Sequence, residues 1–108
     1  NNPDIILGAA GTPILLGATN ISHMQSSHPT CYKQYGSQIS IILSSPDYVG
    51  INSTDGSIEF IKDFFTDGKF VKVAVRISGN GHFFAHSMYV VKNNRVNNFI
   101  TKGTLKKV

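Results

Sequence analysis

The chain has 108 residues, of which 41% are apolar and 15% are charged, and its formal net charge is +4 with the histidines neutral. This length predicts a single domain with one small core, and the apolar content excludes intrinsic disorder. The single cysteine, Cys31, excludes an internal disulfide framework and a zinc site with several Cys ligands. The longest apolar run, residues 5–18, contains three glycines and a proline and is shorter than the about 20 apolar residues of a membrane helix, so we expect no membrane span.

The charge is distributed unevenly along the chain. Residues 1–60 contain one base, Lys33, and four acids, which gives −3, whereas residues 61–108 contain nine bases and two acids, which gives +7. Clustered cations attract phosphates before any specific contact forms. The second half is therefore the predicted surface for a polyanion. A solvated basic face without a ligand is the alternative that charge alone leaves open.

The first half of the chain predicts helices after an N-terminal arm. Residues 1–20 are rich in Gly and Ala, and we expect an irregular arm, a short helix or the end of a preceding delivery segment. Residues 22–44 predict two helical segments separated near Gly36, with Ser37 as the N-cap of the second and Pro46 beyond its end. The second segment carries a core-facing stripe at spacing i, i+3, i+4, formed by Ile39, Ile42 and Leu43.

From residue 48 onward the pattern changes to the alternation that is typical of strands. Residues 57–64 alternate imperfectly, residues 70–78 alternate regularly, and residues 82–91 form a further strand. Glycine-containing turns separate these runs at residues 66–68 and 79–81.

The residues after the last predicted turn form a short helix or a closing strand. The predicted fold class is α+β, with N-terminal helices packed on a four- to five-stranded antiparallel sheet.

The four histidines raise the question of a metal site, which their spacing disfavours. His82 and His86 lie in one predicted strand, where residues four apart are about 13 Å from each other, too far to share one zinc ion. His23 and His28 are five residues apart, which is not the i, i+4 spacing of a zinc-binding helix. We therefore expect no metal and no other cofactor.

A metal-free acid–base site fits these residues better. Cleavage of RNA by its own 2′-OH needs a proton acceptor, a proton donor and a cation that stabilises the phosphorane. His23 or His28 supplies one proton-transfer group and His86 its counterpart, because the pKa of histidine lies near neutral pH. Arg76 or Lys33 supplies the cation, and Ser87 and Tyr89 complete the catalytic set by donating hydrogen bonds to phosphate oxygens. Substrate binding is expected from Lys33, Lys72, Thr101, Lys102 and Lys106. The alternatives are that His23 and His28 are ordinary exposed residues, that His86 is a satisfied histidine of the sheet, and that Tyr89 is a core aromatic.

The order of these features resembles that in the phage- and toxin-associated branch of the BECR nucleases. This superfamily unites barnase, EndoU, the tRNA-cleaving colicins and RelE. The segments that carry the resemblance span residues 20–107: the stretch from His23 to His28, ILSSPDYVGI, VKVAVRIS, FFAHSMYVV and FITKGTLKK. The resemblance implies a nuclease domain over residues 21–108, with an RNA-cleaving cleft on the sheet and no metal.

The resemblance also implies roles for individual residues. The helix histidine of the family corresponds to His23 or His28, and the basic strand position to Arg76. The late hydroxyl-bearing positions correspond to Ser87 and Tyr89. Relatives often carry Arg before the Ser-x-Tyr element, where this chain has His86, so catalysis and phosphate contact are both open for His86.

As a function, the resemblance implies a monomeric endoribonuclease, a tRNase that leaves a 2′,3′-cyclic phosphate. Such domains form the C-terminal toxic tips of contact-dependent growth inhibition proteins and other polymorphic toxins, are secreted within a larger toxin and act in the cytoplasm of the target cell. A cognate, acidic immunity protein neutralises them. The alternatives are a non-catalytic basic module that binds RNA or DNA, and an interaction domain whose positive charge meets an acidic protein.

Overall fold

The computed structural model describes residues 4–103 and 105–108. In this part of the chain the helices are α1 (Ala18–Ser27), α2 (Pro29–Tyr35), α3 (Ile39–Ser44) and α4 (Asn93–Lys102), with short 3-10 turns at Ala9–Gly11 and Gly36–Gln38. Across the same residues, no helix has both the length and the apolar character needed to cross a membrane.

The described residues also form one sheet. Its strands are β1 (Asp4–Leu7), β2 (Pro13–Leu16), β3 (Tyr48–Ile51), β4 (Ile58–Phe64), β5 (Lys69–Ile77), β6 (Phe83–Val91) and β7 (Leu105–Lys107). The strand order is β1-β2-β6-β5-β4-β3-β7. Strands β3 to β6 form an antiparallel meander, and β2 pairs with β6 in parallel.

The α+β class is confirmed, but the predicted sheet was wrong in two respects. It has seven strands among the described residues rather than four or five, and it is mixed rather than purely antiparallel. The extra strands come from both ends of the chain. The hairpin β1–β2 extends the sheet at β6, and β7 extends it at β3. The tail therefore contains both the helix and the strand that the sequence offered as alternatives.

The N-terminal segment differs from the expected arm or short helix because its apolar residues reach the core. Ile14 is 1% exposed, and Ile6 and Leu16 pack against the same cluster. Gly11 adopts a φ of 76°, which only glycine adopts easily, and it allows the tight connection between the two strands. Two of the glycines of this segment, Gly8 and Gly11, thus lie in the connection of a hairpin, whereas Gly17 is the N-cap residue of α1.

The helical region also divides differently from the prediction. A break at His28, with φ −142° and ψ 69°, separates α1 from α2. Pro29 explains this break, because the residue before a proline is sterically disfavoured in the helical region. Near Gly36 a 3-10 turn joins α2 to α3, and Gln38 rather than the predicted Ser37 is the N-cap residue of α3. The predicted stripe of Ile39, Ile42 and Leu43 is confirmed as buried.

The central strand β5 gives the sheet two chemically different faces. Its alternating valines Val71, Val73 and Val75 belong to the main core, together with buried residues of α1, α2 and α3. We call this side the helix face. The other side, which we call the polar face, carries Lys72, Ala74 and Arg76, because successive side chains of a strand point to opposite faces. A second, smaller core cluster joins α4 to one end of the polar face and contains Ile61, Val91, Val96 and Leu105.

Two adjacent isoleucines in α3 test this packing. Ile42 is fully buried, whereas Ile41 is 45% exposed. We expect Ile42→Ala to lower the free energy of unfolding by about 2–5 kcal/mol, because it leaves a cavity in the core. Ile41→Ala removes the same atoms from the surface and should cost less than about 1 kcal/mol. Urea unfolding measures both, and equal losses for the two variants would contradict the packing.

Candidate active site

The polar face gathers charged and polar side chains from three neighbouring strands. The register places Glu59 of β4 and Ser87 of β6 on either side of Ala74 in β5. It also places Tyr89 of β6 opposite Lys72. Opposed residues lie on the same face of a sheet. These side chains therefore share one surface, with the small Ala74 at its centre.

A buried ion pair lies on this surface. Lys72 Nζ contacts Glu59 Oε2, and the two residues are only 6% and 8% exposed. The same ammonium group lies 4.6 Å from the centroid of the Tyr89 ring. Burial of two charges costs several kcal/mol of desolvation for each ion, so such a pair adds little net stability compared with apolar residues. Its presence on the polar face points to a role in function.

Helix α1, which contains His23 and ends at its C-cap residue His28, brings two histidines to the polar residues of β6. The rings of His23 and His86 are stacked with centroids 4.7 Å apart. The rings of His28 and Tyr89 are stacked in the same way at 5.0 Å. Met24 of α1 is fully buried in the main core, which anchors the helix beside β6. The helix therefore contributes one ring near each end of the polar part of β6.

A β-bulge sets His86 apart from its neighbours. Ser87 pairs with Ala74 and Ala85 pairs with Val75, so His86 is an extra residue without a partner on β5. A bulge breaks the regular alternation and redirects the side chain of the extra residue. This explains how His86 contacts His23 of the neighbouring helix.

Arg76 lies between an acid and His86. Its Nη2 atom donates to Asp55 Oδ2 at 3.2 Å. The Asp55 pKa is lowered, first by the backbone N–H and the hydroxyl of Ser57, which both donate to its carboxylate, and then by Arg76. The Nε atom of Arg76 is buried and has no hydrogen-bond partner among the described residues. An unsatisfied buried donor of this kind suits an anion that approaches the polar face.

The pKa of His86 is lowered from its ordinary value. Desolvation by burial is the largest cause, followed by the positive charge of Arg76 and by His23, while Asp55 acts in the opposite direction. All of the lowering effects disfavour the protonated ring. His86 therefore stays neutral at neutral pH and can accept a proton there.

This arrangement brings the six predicted catalytic residues together. His23, His28, Arg76, His86, Ser87 and Tyr89 all lie on or beside the polar face, together with Lys72 from the predicted substrate-binding set.

The remaining predicted substrate-binding residues lie elsewhere in the described structure. Lys33 is exposed on α2, and Lys102 lies in the last turn of α4. The Thr101 hydroxyl donates to the carbonyl of Asn97 within α4. Lys106 pairs across the sheet with Val49, whose side chain packs on the helix face.

Two acids of the site were missed in the sequence. Glu59 lies between the apolar residues Ile58 and Phe60 in an alternating strand, and an acid flanked in this way is a signal that could have been read. Asp55 belongs to a polar loop, where an acid is ordinary, and only the folded chain brings it to Arg76.

Histidines and cations lie together on one face of the sheet, and helices pack behind it, an arrangement that suits acid–base chemistry on an anion in a small α+β domain. The sequence model of the phage-Barnase-EndoU-ColicinE5/D-RelE like nuclease3 family matches residues 3–98. The chain belongs to this family, and the predicted membership of the BECR superfamily is confirmed. The matched residues include the N-terminal hairpin. Comparisons with curated proteins and with solved structures gave no match.

The environment of His86 predicts its titration. NMR of the imidazole should give a pKa below the ordinary histidine value of about 6.5. Arg76→Gln should raise it, because the variant removes a positive charge beside the ring. Arg95→Gln removes a charge that does not act on His86 and should leave the pKa unchanged. A pKa at or above that of an exposed histidine would contradict this environment.

The same shift has a consequence for stability. Because the pKa of His86 is lower in the folded state, the unfolded chain binds the proton more readily. The contribution of His86 to stability is therefore present above about pH 6.5 and is lost as the pH falls through the lowered pKa.

The buried ion pair predicts an unusual pattern of stability. Glu59→Ala leaves Lys72 buried without its partner and should lower the free energy of unfolding by about 3–5 kcal/mol. The double variant Glu59→Leu with Lys72→Met keeps the volume without the charges, and it should be about as stable as the wild type. Urea unfolding at pH 7 checks both. A double variant as unstable as the single one would contradict the functional interpretation of the pair.

Proposed function

We propose that the protein is a metal-independent endoribonuclease that cleaves RNA by attack of the ribose 2′-OH and leaves a 2′,3′-cyclic phosphate. The observation that carries this proposal is the contact of His86 with His23 at 4.7 Å, on the face that also holds Arg76. It supplies a neutral imidazole and a cation at one place, as this reaction requires.

The scissile phosphate would lie over Ala74 and Ser87, where small side chains leave room between two groups of functional residues. On one side, neutral His86 takes the proton from the 2′-OH, and His23 holds its ring in place. On the other side, protonated His28 gives a proton to the 5′ oxygen that leaves. The stack of His28 on Tyr89 supports this position.

The negative charge that develops on the phosphorane is met by two cations of β5. Arg76 offers its unpartnered Nε, and Lys72 offers an ammonium group that Glu59 holds close to the sheet. Preorganised cations in a partly buried site stabilise a transition state without further reorganisation. The hydroxyl groups of Ser87 and Tyr89 position the phosphate oxygens.

We further propose that tRNA is the substrate and that the nuclease acts as the toxic domain of a larger secreted protein in the cytoplasm of a target cell. Residues 61–108 carry a charge of +7 and include Lys72 and Arg76 of the polar face, which supports binding of a polyanion. An acidic immunity protein that covers this face would block the same cations. The family membership supports the nuclease activity on which these proposals rest.

The proposed reaction can be tested by an RNA cleavage assay. Purified protein should cleave total tRNA in excess EDTA, and the products should carry 2′,3′-cyclic phosphate ends. His86→Ala should lower the rate by about 100-fold or more, because a general base contributes this much. His82→Ala is the control, since His82 is exposed beside a turn and should keep full activity. RNA that stays intact but is bound would instead favour the non-catalytic module.

A further inference from the structure

We infer that α4 and the loop between β3 and β4 form a binding site for an unpaired nucleotide next to the cleaved bond. This inference rests on the proposed function and adds a substrate class to it: RNA whose bases at the cleavage point are single-stranded. The site adjoins the Lys72–Glu59 pair, shares Lys72 and Tyr89 with the proposed catalytic set, and adds Arg95 and Phe99 to them.

Two neighbouring clefts define the site. One has a volume of about 290 Å³ and lies between the loop at residues 51–54 and α4, and Glu59 also lines it. The other has a volume of about 220 Å³ and lies between the end of β6 and α4. Both clefts are lined by Lys72, Tyr89, Arg95 and Phe99. A ligand held there would lie beside the proposed scissile phosphate, because Lys72 and Tyr89 belong to both places.

The shared lining combines an aromatic surface with cations. The guanidinium carbon of Arg95 lies 5.6 Å from the centroid of the Phe99 ring. Proteins that bind single-stranded RNA stack its bases on aromatic rings and on arginine planes. The ion pairs found among the described residues include neither Arg95 nor Lys92, which lines the second cleft. Their charges are thus available to the phosphates that flank a bound base.

The composition of α4 agrees with a binding role. The helix NNRVNNFITK contains four Asn residues and no acid. Asn is a poor helix former, so these residues are not explained by helix stability. Their exposed carboxamides both donate and accept hydrogen bonds, as the edges of nucleobases do. Asn98 lies three residues from Arg95, which places the two on neighbouring positions of one helix surface.

The geometry of the clefts selects against paired RNA. In an A-form duplex the bases are stacked inside the helix, so a base reaches a side cleft of this kind only when it is unpaired and turned outward. Tyr89 separates these clefts from a third one on the α2 side, which His28 and Lys69 line. The strand is therefore expected to pass over Tyr89 with unpaired nucleotides on either side.

A binding experiment with RNA that cannot be cleaved tests the inference. The probe is a fluorescent 2′-O-methyl hexanucleotide, which lacks the attacking hydroxyl, presented as a single strand or in a duplex. We expect tighter binding of the single strand, and Arg95→Ala should weaken that binding by about tenfold or more. Phe99→Leu should have a similar effect. Lys62→Ala is the charge-matched control, since Lys62 lies on the other face of β4 and pairs with Asp47.

The outcomes separate this inference from the proposed function. Binding that is unchanged in Arg95→Ala, equal losses in Arg95→Ala and Lys62→Ala, or duplex binding as tight as single-strand binding would overturn the nucleotide site. Circular dichroism shows whether Phe99→Leu folds. If it does not, binding by the Arg95→Ala variant still tests the site, because Arg95 is exposed. Probes that carry an abasic residue at each position in turn test it independently, because they remove one base at a time. A protein that binds the probe as expected but never cleaves unmodified RNA would refute only the ribonuclease proposal.

Discussion

The buried contact between Lys72 and Glu59 determines how the rest of the sheet can be covered. A buried charge is costly in free energy unless an opposite charge lies beside it, as Lys72 and Glu59 do for each other. An apolar layer packed over this pair would remove the remaining solvent and raise that cost. Helices α2 and α3 and the Met24 side of α1 therefore pack on the opposite face, where β5 contributes three valines to the core. On the polar face α4 covers the end beyond Lys72, and a groove with charged walls stays accessible beside it.

Helix α1 connects the two faces, although it lies on neither side completely. Met24 anchors it in the core of the helix face, while His23 and His28 reach two aromatic rings of β6. The bulge at His86 makes the first of these contacts possible, since a regular strand would direct that side chain differently. Core packing and the arrangement of the histidines thus depend on the same helix, and a change in its packing would disturb both.

Local patterns in the sequence predicted the local parts of this structure well. The alternation in residues 70–78, the glycine turns and the stripe at Ile39 depend on neighbouring residues, and all are found in the fold. Contacts between distant residues could not be predicted in this way. The parallel pairing of β2 with β6 and the ion pair of Arg76 with Asp55 join segments far apart in the chain. The histidines were recognised by their chemistry. The role of Glu59 was missed because its contact with Lys72 depends on the pairing of β4 with β5.

The parallel pairing of β2 with β6 also has a consequence for the order of folding. The meander β4–β5–β6 needs only short turns, whereas β2 joins β6 after the whole intervening chain has been brought together. Closing so long a loop is entropically costly, and contacts of this kind form late. Because α1 directly follows β2, we expect His23 and His28 to reach β6 only after this pairing. In this order of folding, Lys72 and Arg76 are in place on the sheet before the histidines lie beside them, so the polar face is completed last.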